Sequence, residues 1–235
     1  PYGCLNLSPY YRVYPSRTDF KQPYGMFSGA AQYRYTPDER TVFKLYAGYD
    51  RTSFSNYADA DRHLFALGEN NVYLNTTFRK RAASGWNWFF GAACSFYDRR
   101  VGGAVTGGDA WSERQQELHL KVRSFRQFTP WLRLDAGVET FIRSYRDYYR
   151  FELLYDENRM YPTICAGFLS SIFYLSEHFK TELSFRPEYV SLNRRMNWSP
   201  RAAVSYAWNR LSISVVAGQY TQLPENKYLI KNTAL

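Results

Sequence analysis

Residues 179–190, FKTELSFRPEYV, alternate between apolar and polar side chains with a period of two. In an extended strand Phe179, Leu183 and Phe185 share one face, while Lys180 and Glu182 share the other. The apolar face of such a strand either packs into the core of a soluble sheet or meets lipid in a membrane barrel. The fold therefore depends on which face meets water, and the neighbouring segments decide it.

The same alternation recurs in pairs of segments joined by short turns. The pairs are 24–36 with 41–53, 72–80 with 86–98, 117–128 with 131–145, 162–176 with 179–190, and 199–208 with 211–222. Longer polar connections are expected at 53–62, 98–113, 146–161 and 190–198. Short turns at one end and long loops at the other are typical of outer-membrane barrels. Most segments also reach the ~9–11 residues that a tilted strand needs to cross a bilayer.

The composition agrees with a barrel. Mean hydropathy is −0.51 although 45% of the residues are hydrophobic, because lipid-facing and water-facing side chains alternate and cancel. Aromatic residues make up 19%, and Tyr and Trp favour membrane–water interfaces. The sequence predicts an all-β, antiparallel up-and-down transmembrane β-barrel, with about ten to eleven strands present as part of a larger barrel.

The charge pattern narrows the partners. A formal net charge of +9 would attract nucleic acid, anionic lipid or an anionic ligand. Lys and Arg are mixed with acids at strand spacing and form no runs, so we expect no nucleic-acid partner. Cys4, Cys94 and Cys165 lie far apart and predict neither a zinc site nor a disulfide framework. No metal and no cofactor are expected.

Signals for catalysis are weak, since HExxH, GxSxG and P-loop motifs are all missing. Asp59, Asp61 and His63 could cluster near a long loop and bind a cation or activate water. A solvated loop leading into a strand explains them more simply. We therefore predict no catalytic residue and no enzymatic activity.

Tyrosine and arginine in the long connections supply stacking area and hydrogen-bond donors of the kind found at binding sites. The candidate ligand-binding residues are Arg99, Arg100, Trp111, Tyr148, Tyr149, Arg150, Tyr155, Gln219 and Gln222. Exposed loops also carry such residues without a ligand, and both interpretations stay open. The residues predicted to face the lumen are Lys180, Glu182, Arg186, Glu188, Arg133, Asp135, Glu139, His119, Lys121 and Arg123.

Residues 199–229, SPRAAVSYAWNRLSISVVAGQYTQLPENKYL, resemble the late barrel strands of TonB-dependent outer-membrane receptors. The SPR strand opening and GQYTQLPEN are the closest matches, and 24–36 and 41–53 fit by pattern alone. The resemblance implies a barrel of about twenty-two strands filled by an N-terminal plug domain. It also implies uptake of a metal chelate, a cobalamin or a glycan, powered through TonB, in the cell outer membrane.

The implied partners are outer-membrane lipid and lipopolysaccharide, the TonB system through the plug, and a surface lipoprotein as a further candidate. Because no plug-like segment and no terminal aromatic strand stand in the sequence, residues 1–235 are expected to be a single β-barrel segment without its plug domain and remaining strands. The alternatives are a self-contained small outer-membrane barrel, acting as a protease-like or lipase-like enzyme or as an adhesin, and a soluble β binding module.

Overall fold

The computed structural model describes residues 2–13, 20–57, 64–103, 109–151 and 154–221. The strands in these ranges are β1 (Tyr2–Val13), β2 (Phe20–Asp38), β3 (Thr41–Tyr57), β4 (Leu64–Arg81), β5 (Asn87–Gly103), β6 (Asp109–Thr129), β7 (Leu132–Phe151), β8 (Leu154–Met160), β9 (Thr163–Tyr174), β10 (Phe179–Val190), β11 (Arg195–Trp208) and β12 (Leu211–Gly218). They form one antiparallel sheet that follows chain order, with β8 beside β7. The predicted all-β, up-and-down fold is confirmed.

β8 and β9 continue one another along the edge of β7. Met160 pairs with Tyr145 and Thr163 pairs with Ile142, so the register is the same on both sides of the break. The break falls at Pro162, which has no N–H to donate to a ladder. Its carbonyl still accepts a hydrogen bond from the Arg143 N–H at 3.0 Å. If β8 and β9 are counted as one strand, the described part of the sheet has eleven strands, in line with the predicted ten to eleven.

Two of the connections predicted as long loops are largely strand, and the other two, 53–62 and 190–198, are strand in part, so that part of the prediction was wrong. β5 continues to Gly103 and β6 starts at Asp109, within 98–113, while β7 and β8 occupy nearly all of 146–161. Backbone hydrogen bonds sustain a ladder whatever the side chains, and here cross-strand ion pairs replace apolar pairs. We call these ends of β5–β8, residues 98–103, 109–114, 146–151 and 154–159, the extension.

At the opposite end, the predicted short turns are present between consecutive strands. In the β2–β3 turn the Asp38 carboxylate accepts hydrogen bonds from the Arg40 N–H at 2.7 Å and the Thr41 hydroxyl at 3.1 Å. The Arg40 N–H is the main cause of the lowered pKa of Asp38. Gly85 and Asn209 adopt φ values of 85° and 52°, which Gly and Asn tolerate best.

The sheet has two chemically different faces. The outer face carries exposed apolar side chains in its middle, among them Val138, which is 60% exposed, and Leu169 and Leu183. The inner face carries charged side chains that are far less exposed, such as Glu139 at 7%. Arg186 on β10 reaches Glu139 on β7 across the intervening β9. Contact between strands that are not neighbours indicates that the inner face is concave.

Pro187 lies within β10, where a proline usually marks a bulge or an unpaired end. It does neither on its β11 side, where it pairs with Trp198 in unbroken register. On the β9 side the pairs Phe185–Leu169 and Glu188–Ala166 keep one register, and the two rungs between them are missing. The absent N–H of proline explains this gap. Within the described ranges no helix has the length and apolar character needed to cross a membrane.

Candidate functional site

The centre of the inner face holds a charge network around Glu139. Its carboxylate accepts hydrogen bonds from Lys121 at 3.0 Å and from Arg186, and the His119 Nε2 atom lies 3.5 Å away. Arg186 also donates to Glu188 at 3.2 Å. Strands β6, β7 and β10 therefore meet at one carboxylate, which a lysine and an arginine share.

A second network lies nearer the short turns. Asp135 is almost fully buried and accepts a hydrogen bond from the Arg123 Nε atom at 2.8 Å, with the Arg133 Nη2 atom at 3.7 Å. Arg133 lies over the Phe125 ring at 4.1 Å. A cavity of about 510 Å³ opens here, and Arg79 and Arg81 also line it. This end of the inner face is strongly basic.

On the extension, the inner face presents an arginine held between acids and aromatic rings. Arg99 donates to Glu69 at 2.5 Å and lies 3.9 Å from Glu113. Its guanidinium also lies 5.7 Å from the centre of the Trp111 ring. The Trp111 indole donates to Asp147 at 2.5 Å. These contacts fix Arg99 and Trp111 in one arrangement before any ligand arrives.

The outer face of the extension carries a separate set of ion pairs. Asp98 accepts from Arg100 at 3.0 Å and from Arg114 at 3.3 Å. Glu157 pairs with Arg146 at 2.5 Å and with Arg159 at 2.7 Å. The hydrogen bond from Arg159 is the largest cause that lowers the pKa of Glu157 to about 2. Each carboxylate is thus shared by two arginines.

The extension divides the candidate ligand-binding residues between its two faces. Because side chains alternate along a strand, Arg99, Trp111 and Tyr149 lie on the inner face, and Arg100, Tyr148, Arg150 and Tyr155 lie on the outer face. Tyr148 and Tyr155 are in contact, with ring centres 5.5 Å apart. Gln219 is exposed just after β12, and Gln222 lies outside the described residues. The set therefore does not form a single site.

The ten residues predicted to face the lumen lie together on the inner face. Lys180, Glu182, Arg186 and Glu188 come from β10, and the other six come from β6 and β7. Ser170 donates to Glu182 at 2.8 Å, which links β9 to this set. The sequence shows that these side chains share a face of their own strand, and pairing register then places the strands side by side.

The sequence argument missed Glu69, Glu113 and Asp147, the acids that hold Arg99 and Trp111. Each lies on a different strand from its partner, and only the register brings them together. The catalytic candidates Asp59, Asp61 and His63 lie outside the described residues. In the described part of the chain, no three His, Cys, Asp or Glu side chains are grouped so as to hold a metal ion.

No protein-family model matches the sequence, and no curated protein matches it. The fold is similar to that of the copper transporter OprC, with a TM-score of 0.71, 11% identity, and coverage of 95% of this chain and 41% of that chain. It is also similar to the ferric-catecholate import receptor Fiu from E. coli K12, with a TM-score of 0.61, 5% identity, and coverage of 86% and 41%.

The translocator domain of the autotransporter NalP from Neisseria meningitidis aligns at a TM-score of 0.44, with 9% identity and coverage of 93% and 81%, and that likeness decides nothing. The chain has the fold of an outer-membrane β-barrel wall, which agrees with the outer-membrane location predicted from the sequence. It spans 41% of the length of OprC and of Fiu.

Proposed function

We propose that the chain is a wall section of an outer-membrane receptor that takes up a nutrient through TonB, without catalysis. The observation that supports this function is the division of one sheet into an apolar outer face and a charged, concave inner face. In a bilayer the outer face removes apolar side chains from water, and the inner face lines a polar passage. A soluble β module would have to expose the apolar band to water.

The inner face supplies the means of transport in this proposal. The ten side chains predicted for the lumen form its wall, and the networks around Glu139 and Asp135 hold them in place. Excess cations on this wall favour an anionic or hydroxyl-rich ligand. On the extension, Arg99 and Trp111 offer the ligand a guanidinium and an aromatic ring. The candidates on the outer face of the extension stand apart from this passage.

The similar folds support a transport role and leave the cargo open. OprC is a copper transporter and Fiu imports ferric catecholate. A metal chelate, a cobalamin or a glycan is the cargo class proposed for this chain. The proposal includes a plug domain and the remaining strands in the whole protein, contact with TonB through that plug, outer-membrane lipid and lipopolysaccharide around the barrel, and a surface lipoprotein as a further partner.

The test is uptake by cells of the native host with and without the gene for the whole protein. Labelled ferric chelate, copper chelate, cobalamin and oligosaccharide are supplied in turn, each with and without a protonophore. We expect one of them to accumulate only in cells with the gene, and only while the proton gradient is intact. Equal accumulation of all four in both strains would contradict the proposal.

Arg99→Gln with Trp111→Phe tests the capture site in the same assay. We expect weaker uptake at low ligand concentration and normal uptake at saturation, because capture is impaired and the passage is intact. The matched control is Arg210→Gln, an exposed arginine in the short turn between β11 and β12. Unchanged uptake in the double variant at every concentration would exclude this site as the place of capture.

A further inference from the structure

A row of arginines crosses the outer face just beyond the apolar band. Arg51, Asn70, Asp98, Arg114, Arg146 and Arg159 are directly paired positions on six successive strands, β3 to β8. We call these six residues the arginine row. With strands ~4.8 Å apart, the row is roughly 24 Å wide. Four of its six members are arginine and one is an acid.

The height of the arginine row follows from the residues beneath it. Two residues closer to the short turns, the same face carries Tyr49, Val72 and Phe96, which are directly paired across β3 to β5. On β6 and β7 the paired residues at that level are Gln116 and Ser144, and the apolar pair Leu118 and Ile142 follows two residues further toward the short turns. From Trp88 to Phe96 every outer-face side chain of β5 is apolar. This length matches the ~9–11 residues with which a tilted strand spans a bilayer. In a membrane-embedded barrel the arginine row therefore lies at the level of lipid headgroups.

The arginines of this row carry more charge than their acids neutralise. Asp98 is shared with Arg100 and Arg114, and Glu157, one row further out, is shared with Arg146 and Arg159. Among the described residues Arg51 has no acidic partner, and it is exposed. The Arg159 side chain is 51% exposed although it is ion-paired. The carboxylates hold the guanidiniums in place and leave donors free on the solvent side.

We propose that the arginine row binds the phosphate groups of lipid A, the membrane anchor of lipopolysaccharide, in the outer leaflet. Phosphate has the geometry that guanidinium recognises with two parallel hydrogen bonds, and an excess of positive charge at headgroup height is complementary to it. The inference rests on the outer-membrane placement in the proposed function and is independent of the cargo. The inner-face arginines are not part of this site, because they point to the other side of the sheet.

The experiment measures binding of lipid A to the whole natural protein in detergent by native mass spectrometry. The test variant is Arg51→Gln, Arg114→Gln and Arg159→Gln together, which leaves Asp98 with Arg100 and Glu157 with Arg146. The matched control removes the same charge near the short turns, as Arg40→Gln, Lys80→Gln and Arg210→Gln, all exposed residues. A third variant replaces the test arginines by lysine and retains the charge.

We expect the wild-type protein to prefer lipid A over dephosphorylated lipid A, and the test variant to bind lipid A about a hundredfold more weakly. The control should bind as the wild type does, and the lysine variant should fall between the two, since lysine lacks the paired donors. Equal affinity of the test variant and the control would overturn the inference. If inorganic phosphate at equal concentration displaced lipid A, the conclusion that a lipid occupies the arginine row would be overturned.

Failure of this inference is distinguishable from failure of the proposed function. If the wild-type protein does not fold into lipid vesicles, both fail. If it folds and restores nutrient uptake but binds both forms of lipid A equally, only the arginine row loses its assigned role. If the test variant no longer binds lipid A and still takes up nutrient, both proposals stand, with lipid binding on the outer face and transport along the inner face.

Discussion

Replacing Glu139 by glutamine removes the one negative charge that joins Lys121, Arg186 and His119 across β6, β7 and β10. The substitution retains the volume of the side chain and an oxygen that accepts hydrogen bonds. Lys121 and Arg186 then face each other with their charge less compensated. Arg186 keeps Glu188 as a partner, so the perturbation falls mostly on Lys121.

The expected loss of unfolding free energy is about 1–3 kcal/mol. Breaking a buried ion pair costs about 3–5 kcal/mol, whereas an exposed pair contributes about 0–1 kcal/mol. Glu139 is buried, but the side chains of Lys121 and Arg186 are 33% and 28% exposed, so water screens part of the lost interaction. The network at Glu139 therefore lies between these two limits.

The assay is urea unfolding of the whole protein in lipid vesicles, followed by tryptophan fluorescence. Glu177→Gln, in an exposed short turn, is the control and should change the free energy of unfolding by less than about 0.5 kcal/mol. A cycle with Arg186→Gln should give a coupling of about 1 kcal/mol or more between the two positions. A loss below about 0.5 kcal/mol for Glu139→Gln, with no coupling, would refute the network as a stabilising element.

Three further changes probe other parts of the sheet. Gly137→Ala places a Cβ 2.5 Å from the Val122 carbonyl and 2.6 Å from the Phe168 ring, so urea titration should show a loss of about 1–3 kcal/mol in the free energy of unfolding. The control is Gly167→Ala, whose Cβ makes ordinary contacts and should leave this free energy nearly unchanged. Val138→Arg, in the middle of the outer face, should lower the free energy of unfolding in vesicles by about 2–4 kcal/mol. Tyr161→Arg, at the margin of the apolar band, should lower it by about 0–1 kcal/mol, and equal losses would contradict a lipid-facing band. The Glu157 carboxyl should titrate at about pH 2 by NMR, and Arg159→Gln should raise its pKa toward the usual 4.5. Because the folded-state pKa is lowered, the ion pairs of Glu157 stabilise the extension above the usual pKa and lose that contribution as the pH falls toward 2; an unchanged pKa in Arg159→Gln would exclude Arg159 as the cause.

Alternation along single strands was sufficient to predict the fold and the two faces. In 117–123 and 131–143 the period of two separates Leu118 and Val138 from Lys121 and Glu139, and the structure keeps them on opposite faces. This works because a strand side chain has only two directions in which to point. The same rule correctly assigned Leu183 and Phe185 to the exposed face of β10.

The extension was missed because its strands lack an apolar face. Residues 146–151 carry charges and tyrosines at both odd and even positions, which resembles a loop when one strand is considered alone. Complementary partners on neighbouring strands support the ladder, as Arg146 meets Glu157 and Asp147 meets Trp111. Such complementarity depends on pairing register, which a single sequence does not display.

For the same reason the sequence alone does not divide the candidate ligand-binding residues between the two faces of the sheet. Tyr148 and Tyr149 are neighbours in sequence, yet they lie on opposite sides of a sheet that runs through this region. Clusters in a loop can converge on one ligand, whereas neighbours in a strand cannot. Had 98–113 and 146–161 been predicted as strand, the division of the candidates into two sets would have followed from parity alone.

The continuation of β5–β8 past the membrane has an evolutionary consequence. In the extension, one stretch of sequence forms two independent surfaces. Odd positions of β7 such as Asp147 and Tyr149 lie on the inner face, and even positions such as Arg146 and Tyr148 lie on the outer face. In the receptor that we propose, substitutions that suit the inner face to a new ligand can therefore fall on one parity, while substitutions that suit the outer face to its surroundings fall on the other. A loop in the same place would have tied the two adaptations together.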